Sequence, residues 1–178
     1  RLPGDQGQPV AAARGRAWGT AVSPPPIYCI DTSSILEARI RSYPPAIFVQ
    51  LWDKVEDLIA AGRLVAPAEI LRELERQDDE TKRWARSQSG LFVPLDRAQT
   101  DEVTQILRAF PLLVDSSRGR SGGDPFVIAL ARTHGYTVVT EERLSRSPKR
   151  PKIPDVCLSY QLPCITFLDL VLRERWTF

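Results

Sequence analysis

The sequence is poor in the residues that many catalytic and metal sites require. His134 is the only histidine among 178 residues, which excludes HExxH zinc motifs and takes Ser-His-Asp triads and Cys-His pairs out of practical consideration. The three cysteines are odd in number and lack CxxC spacing, so the sequence predicts neither a disulfide framework nor a zinc site. Any chemistry therefore falls to carboxylates, hydroxyls or lysines. The cysteine usage is typical of a reduced, cytoplasmic setting.

Long apolar runs and methionine are also missing. No segment approaches the roughly 20 apolar residues that a membrane-spanning helix needs, so we expect no membrane partner. Residues 1–26 contain nine prolines and glycines and show no helical or strand-like period. We expect this segment to be a disordered tail, or a mis-start or vector remnant, followed by a single domain over residues 27–178.

The charge is unevenly divided along the chain. Residues 1–26 carry three arginines and one aspartate, which account for the whole net charge of +2, so the rest of the chain is neutral. A protein that coats nucleic acid is usually more basic than this. An enzyme with an acidic site and a separate basic segment fits this balance better.

Short strand patterns alternate with helical patterns from residue 27 onward. The alternation predicts an α/β fold, namely a three-layer α/β/α sandwich with a central parallel sheet of about four to five strands. Strand-like runs cover residues 27–30, 64–66, 91–95, 137–140 and 164–167. Helical patterns cover residues 45–61, 67–74, 103–110, 124–134 and 168–176.

Several acids are expected at the carboxyl edge of this sheet, where open parallel sheets bind ligands. Asp31 ends the first strand, Glu142 follows the strand at 137–140, and Asp124 opens a helix whose amino end lies on the same edge. Glu73 is at the margin of the buried face of its helix, whereas Glu69 points more fully to water. Converging carboxylates repel one another unless a cation neutralises them, and hard oxygen ligands select Mg²⁺ or Mn²⁺.

Each of these acids also has a structural explanation. Asp31 is a candidate cap of the following helix, although Ser33–Ser34 could serve instead. Asp124 precedes a proline, which is the pattern of a helix cap. Glu73 has the character of a solvated acid or an arginine partner, and Glu142 that of an ordinary surface residue. The shared sheet edge is what favours a functional interpretation.

Four short motifs, in order, resemble the PIN domain, and more narrowly the VapC-like toxin group, over roughly residues 27–178. Residues 30–33 match the strand that ends in Asp-Thr-Ser, and residues 73–74 match the acidic-Leu pair after the second strand. Residues 124–131 match the helix-opening acid with its Ile-Ala-x-Ala pattern. Residues 139–142 match the strand end that precedes the fourth acid.

The resemblance implies a metal-dependent endoribonuclease in which four acids bind Mg²⁺ or Mn²⁺ and act in catalysis: Asp31, Glu73, Asp124 and Glu142. It also implies the toxin of a toxin–antitoxin pair, commonly a homodimer and inhibited by an antitoxin protein. Two features depart from the family pattern. The fourth acid is usually Asp or Asn rather than Glu, and residues 143–152 look like an insertion. Asp155, just beyond the insertion, is therefore an alternative to Glu142 as the residue that completes the metal site.

The inserted segment is rich in cations, which could contact RNA phosphates beside the site or simply form a solvated loop. The main alternative to an enzyme is a catalytically weak module of the same fold that binds RNA or protein. A phosphatase with an aspartyl-phosphate is disfavoured because Asp-x-Asp is absent, and a dinucleotide enzyme because GxGxxG is absent. The cations of the segment are Arg143, Arg146, Lys149, Arg150 and Lys152.

Overall fold

A computed structural model describes residues 24–77, 79–114 and 122–178. The expectation for residues 1–26 therefore falls almost wholly outside the described residues. None of the helices in the described part of the chain has the length and apolar character that a membrane span needs. The strands are β1 (Tyr28–Ile30), β2 (Leu64–Pro67), β3 (Phe92–Val93), β4 (Thr137–Val139) and β5 (Cys164–Ile165).

Helices connect the strands. A π-helical segment, Glu37–Ser42, directly follows the first α-helix. The α-helices are α1 (Thr32–Leu36), α2 (Val49–Ala60), α3 (Ala68–Leu74), α4 (Asp79–Ser87), α5 (Arg97–Ala109), α6 (Asp124–His134), α7 (Ile153–Ser159) and α8 (Phe167–Arg173).

The five strands form one parallel sheet in the order β3-β2-β1-β4-β5. The predicted α/β/α sandwich with a parallel sheet of about four to five strands is confirmed. From β1 the chain moves outward to β2 and β3 on one side, and later to β4 and β5 on the other. The crevice between the carboxyl ends of β1 and β4 is therefore the topological switch point, where open α/β sheets bind ligands.

The central strands are buried on both faces, which explains their uninterrupted apolar character. All three residues of β1 and all three of β4 are buried. Helix α6 packs against β1, β2 and β4 and buries most of its length. It ends at Gly135, whose left-handed φ of 70° suits glycine. This packing fixes the amino end of α6 at the carboxyl edge of the sheet.

Several element boundaries differ from the prediction. Helix α2 begins at Val49 rather than at Pro45, because residues 45–47 form a turn that leaves Ile47 exposed. Helices α4 and α7 were not predicted. Helix α4 is highly charged and has only two apolar residues, Trp84 and Ala85; the Trp84 ring stacks on the guanidinium of Arg39, which lies 4.4 Å from the ring centre. Its position depends on tertiary contacts that a helical pattern does not reveal.

Candidate active site at the carboxyl edge

Asp31 is buried at the end of β1, with 3% of its surface exposed. Its Oδ2 accepts hydrogen bonds from the N–H of Ser33 at 3.1 Å, the Ser33 hydroxyl at 2.6 Å and the Thr140 hydroxyl at 3.2 Å. Burial raises the pKa of Asp31 to about 6; the Ser33 hydrogen bonds oppose this shift, and the charges of Glu142 and Glu73 add to it. The surroundings of Asp31 therefore do not fully compensate the negative charge of its ionised carboxylate.

The structural explanation for Asp31 is also correct. Asp31 is the N-cap of α1 and accepts the N–H of Ser33, so Ser33 is a partner of the cap and not a substitute for it. All hydrogen bonds described for Asp31 end on Oδ2. One carboxylate oxygen thus serves the fold, while Oδ1 is the oxygen available to a ligand.

Glu73 points inward from α3 and joins three parts of the edge. Its Oε2 accepts the Thr32 hydroxyl at 2.5 Å, and its Oε1 accepts the N–H of Gly123 at 2.7 Å. A Cβ at Gly123 would lie 2.6 Å from Cδ1 of Ile70 and 3.1 Å from Oε1 of Glu73, so a larger residue would have to displace these side chains. The described partners of Glu73 are thus a hydroxyl and a backbone amide, and not the arginine that the structural explanation suggested.

Asp124 is buried at the first position of α6. The expectation that Asp124 caps this helix is wrong, because the N-cap is Gly123. The chain places glycine at the cap, where its amide reaches Glu73, and Asp124 follows within the first turn, where the helix dipole favours a carboxylate. The charges of Asp124 and Asp31 both act on Lys152, so both acids lie within electrostatic range of its ammonium.

Glu142 follows β4 and is held by the end of the inserted segment. Its Oε1 accepts the Lys152 ammonium at 2.5 Å, and its Oε2 accepts the N–H of Ile153 at 3.0 Å. The hydrogen bond to Glu142 raises the pKa of Lys152; partial burial opposes this, and the charges of Glu142, Asp124 and Asp31 add to it. The inserted segment therefore places the ammonium of Lys152 beside the acidic edge.

Asp155, the alternative to Glu142, binds the backbone of its own loop. Its Oδ2 accepts the N–H groups of Ser145 at 3.0 Å and Lys152 at 2.9 Å, and its Oδ1 accepts the N–H of Arg146 at 2.9 Å. Partial burial works against the charge, but these N–H groups outweigh it and hold the pKa of Asp155 below its ordinary value. Both oxygens thus have a structural use in organising residues 145–152.

Two further acids lie near the edge without belonging to the predicted set. Glu141 accepts the N–H of Phe167 at 2.8 Å and so anchors the start of α8. The prediction that Glu69 points to water is wrong, because its side chain is only 22% exposed and Oε2 lacks a hydrogen-bond partner among the described residues. A helical wheel describes one helix alone, whereas burial at the first turn of α3 depends on neighbouring elements.

The donor chemistry of the edge fits a hard divalent cation. Four carboxylates offer oxygen atoms of the kind that such a cation prefers, together with negative charge: Asp31, Glu73, Asp124 and Glu142. Within residues 24–77, 79–114 and 122–178, no three acidic, histidine or cysteine side chains form a cluster that could hold a metal ion as they stand. Glu73 and Glu142 instead turn toward protein donors, and Glu142 already shares an oxygen with an ammonium. The chemistry and charge of these residues thus fit a divalent cation, although the side chains do not converge on one point as they stand.

Two clefts open beside the acids and share Arg143 and Thr166. One cleft, of about 440 Å³, runs from Thr140 and Glu142 toward α7, and the other, of about 460 Å³, runs from Glu141 toward the π-helical segment. Arg143 is exposed and makes no hydrogen bond or ion pair within the described residues. Its guanidinium is therefore available to an anionic ligand next to Glu142.

Comparison with known proteins places the chain in a family. Residues 28–178 match the family described as Domain of unknown function (DUF4411), and the chain belongs to that family. The matched region runs from the first residue of β1 to the last residue of the chain and includes all the acids of the edge. No curated protein matches the chain significantly. The family description names no activity, so the resemblance to PIN domains stays a prediction.

Proposed function

We propose that the chain is a divalent metal-dependent endoribonuclease whose site lies at the carboxyl edge of the sheet. The observation that carries this proposal is the buried Asp31 carboxylate at the topological switch point, with a pKa raised by burial and by neighbouring acids. A carboxylate in this condition is typical of a site that receives a cation or a proton. Asp31, Glu73, Asp124 and Glu142 would hold Mg²⁺ or Mn²⁺.

The side chains around the acids have defined tasks in this proposal. A divalent metal ion held by these acids would supply Lewis-acid activation of a water and would stabilise the leaving oxygen of a phosphodiester. Ser33 and Thr140 hold Oδ2 of Asp31 and leave Oδ1 for the cation. Thr32 and the amide of Gly123 orient Glu73. The contacts of Asp31 fix its carboxylate before any ligand arrives, whereas Glu73 would have to exchange a protein donor for the cation.

The basic segment supports a phosphate-containing substrate. Arg143 lines both clefts, one of which also contains Glu142, and the four other cations of the segment are exposed. Such cations bind the backbone of nucleic acids without reading their sequence. The choice of RNA, a toxin role with an antitoxin partner, a homodimer and action in the cytoplasm all extend the proposal through the resemblance to VapC-like toxins.

A second candidate function is a module of the same fold that binds RNA or protein without efficient turnover. The pairing of Glu142 with Lys152 favours this alternative, because it removes one acid from a ready-made metal cage. The two candidates share the same surface and differ in catalysis.

Cleavage of single-stranded and structured RNA by the purified chain tests the proposal. We expect cleavage that requires Mg²⁺ or Mn²⁺, stops with chelator, and falls by more than about a hundredfold in Asp31→Asn and Asp124→Asn. Asp101→Asn, a substitution of the same kind at an exposed acid, should cleave normally. Circular dichroism checks the fold of each variant.

Each contrary result has a separate meaning. Equal cleavage by the wild type and the folded edge variants would show that the activity comes from another site or from a contaminant, and the proposal would fail. Metal binding without cleavage of any RNA would favour the binding module.

A further inference from the structure

An ammonium group sits at the rim of the acidic edge. Lys152 Nζ lies 2.5 Å from Oε1 of Glu142, and the charges of Asp124 and Asp31 also act on it. The Lys152 side chain is 46% exposed, whereas that of Glu142 is 14% exposed. The acid is therefore inside and the lysine reaches it from solvent. Because the lysine stem is long and flexible, its charged end can leave Glu142 without disturbing the core.

The backbone around Lys152 is fixed, so the contact with Glu142 is a built feature of the loop. The N–H of Lys152 donates to Asp155, which also binds two amides at the other end of the loop. The next residue, Ile153, is fully buried and donates its N–H to Oε2 of Glu142. One oxygen of Glu142 is therefore bound by the backbone and the other by the ammonium of an exposed side chain.

From this arrangement we infer that Lys152 is an internal competitor of the divalent metal ion, which occupies Glu142 when the metal is absent and so sets the metal concentration at which the site fills. The inference rests on the proposed function, because it concerns the regulation of the same site. It also gives a role to residues 143–152, which depart from the pattern of the PIN domain.

Two physical effects make the lysine a competitor. Oε1 of Glu142 cannot remain bound to the ammonium and also bind a metal ion fully. The positive charge of Lys152 repels a second cation in the same place, and partial burial weakens the screening of this repulsion by solvent. Removal of the ammonium should therefore tighten metal binding. A lysine that only oriented Glu142 for the metal would have the opposite effect on removal.

Calorimetric titration of the full chain with Mn²⁺ tests the inference. Lys152→Met should bind Mn²⁺ about tenfold more tightly than the wild type, as expected for the loss of a close like charge. Lys149→Met is the matched control, because it removes the same charge from the same loop. Lys149 makes no hydrogen bond or ion pair within the described residues. Its replacement should change the affinity by less than about twofold, because solvent screens distant charges.

The outcomes separate the lysine inference from the proposed function. Unchanged or weaker binding by Lys152→Met, beside a wild type that binds Mn²⁺, would overturn the competitor role and leave the metal site intact. Equal tightening in both lysine variants would also overturn it, since the effect would be one of general charge. Binding by Lys152→Met alone would support it strongly. No binding by either protein would overturn both the metal site and the inference.

A double-mutant cycle locates the competition at Glu142. In the Glu142→Gln background the contested carboxylate is gone, so Lys152→Met should change the affinity for Mn²⁺ by much less than in the wild type. An undiminished effect in this background would show that Lys152 acts on the other acids, and the competition for Glu142 would be refuted.

Discussion

The pKa values of two carboxylates are shifted in opposite directions at the two edges of the sheet. At the amino edge, Glu174 accepts two hydrogen bonds from the Arg63 guanidinium, at 2.5 and 2.8 Å, and one from the Tyr28 hydroxyl at 2.7 Å. Burial opposes the charge, but Arg63 and Tyr28 outweigh it and keep the pKa of Glu174 below its ordinary value. At the carboxyl edge, burial raises the pKa of Asp31 to about 6.

The difference separates a structural ion pair from a site prepared for a ligand. Glu174 has a bidentate arginine partner within the protein, so its ionised form stabilises the fold. Asp31 receives only neutral donors and faces other acids, so its ionised form destabilises the fold unless a cation arrives. The carboxylate at the amino edge thus stabilises the fold, whereas the buried carboxylate at the carboxyl edge destabilises it. A loss of stability of this kind is expected at a functional site. Three substitutions test this contrast.

The largest expected change in stability comes from the amino edge. Glu174→Gln leaves the guanidinium of Arg63 without its charged partner and should lower the free energy of unfolding by about 2 kcal/mol; the partial exposure of the pair keeps the loss below that of a fully buried one. Urea denaturation measures this loss. Glu37→Gln, in an exposed pair with Arg41, is the control and should cost less than about 0.5 kcal/mol. A similar cost in both variants would remove the contrast between the edges.

The carboxyl edge should respond in the opposite direction. In the metal-free protein at neutral pH, Asp31→Asn should raise the free energy of unfolding by about 1–2 kcal/mol, because asparagine still caps α1 and carries no buried charge. Chemical denaturation in the presence of chelator measures the gain. A loss of stability would mean that the ionised carboxylate is well compensated, and the proposed deficit of positive charge would be refuted.

The same variant gives a pH dependence with a definite sign. The pKa of Asp31 rises from the ordinary 3.8 to about 6 in the fold, so the unfolded chain releases this proton first as pH increases. The wild type should therefore lose stability from this group between about pH 4 and pH 6. The advantage of Asp31→Asn should be full above this window and disappear below it. A pH-independent difference would contradict the raised pKa.

The smallest expected effect comes from the loop that joins the edge to Lys152. Asp155→Asn weakens the hydrogen bonds to three backbone amides and should cost about 1 kcal/mol, with faster hydrogen exchange at Ser145, Arg146 and Lys152. Because Asp155 serves the loop, its replacement should not weaken Mn²⁺ binding. A tenfold weaker affinity would instead identify Asp155, and not Glu142, as the acid that completes the site.

The sequence predicts the sheet better than the helices that surround it. Each buried parallel strand is a short apolar run bounded by breakers, so the positions of the strands and of the acids that follow them can be read locally. The start of α2 could not be predicted from the local sequence, because Ile47 and Phe48 continue the apolar period although the chain turns there. Helix α7 was missed although its buried residues, Ile153, Val156 and Cys157, have helical spacing, because the preceding basic segment and Pro154 indicate a loop.

The geometry within the site depends on contacts between distant residues and was only partly predictable. The local pattern correctly predicts that a helix begins at Asp124. The N-cap, however, is Gly123, whose amide donates to Glu73, fifty residues away in the sequence. The return of Lys152 to Glu142 likewise requires the loop that Asp155 organises. Charge spacing along residues 143–152 predicts cations near the edge and cannot tell which of them meets an acid.

The central place of β1 also fixes when this site can exist during the life of a chain. Asp31 and Thr140 are 109 residues apart, and they meet only after β4 has been synthesised and has paired with β1. Glu142 and Lys152 emerge from the ribosome later still. A nascent chain that has reached only residue 136 therefore contains Asp31, Glu73 and Asp124 without a complete acidic edge. Whatever chemistry the site performs must wait until residues 137–152 have been synthesised and have packed beside β1.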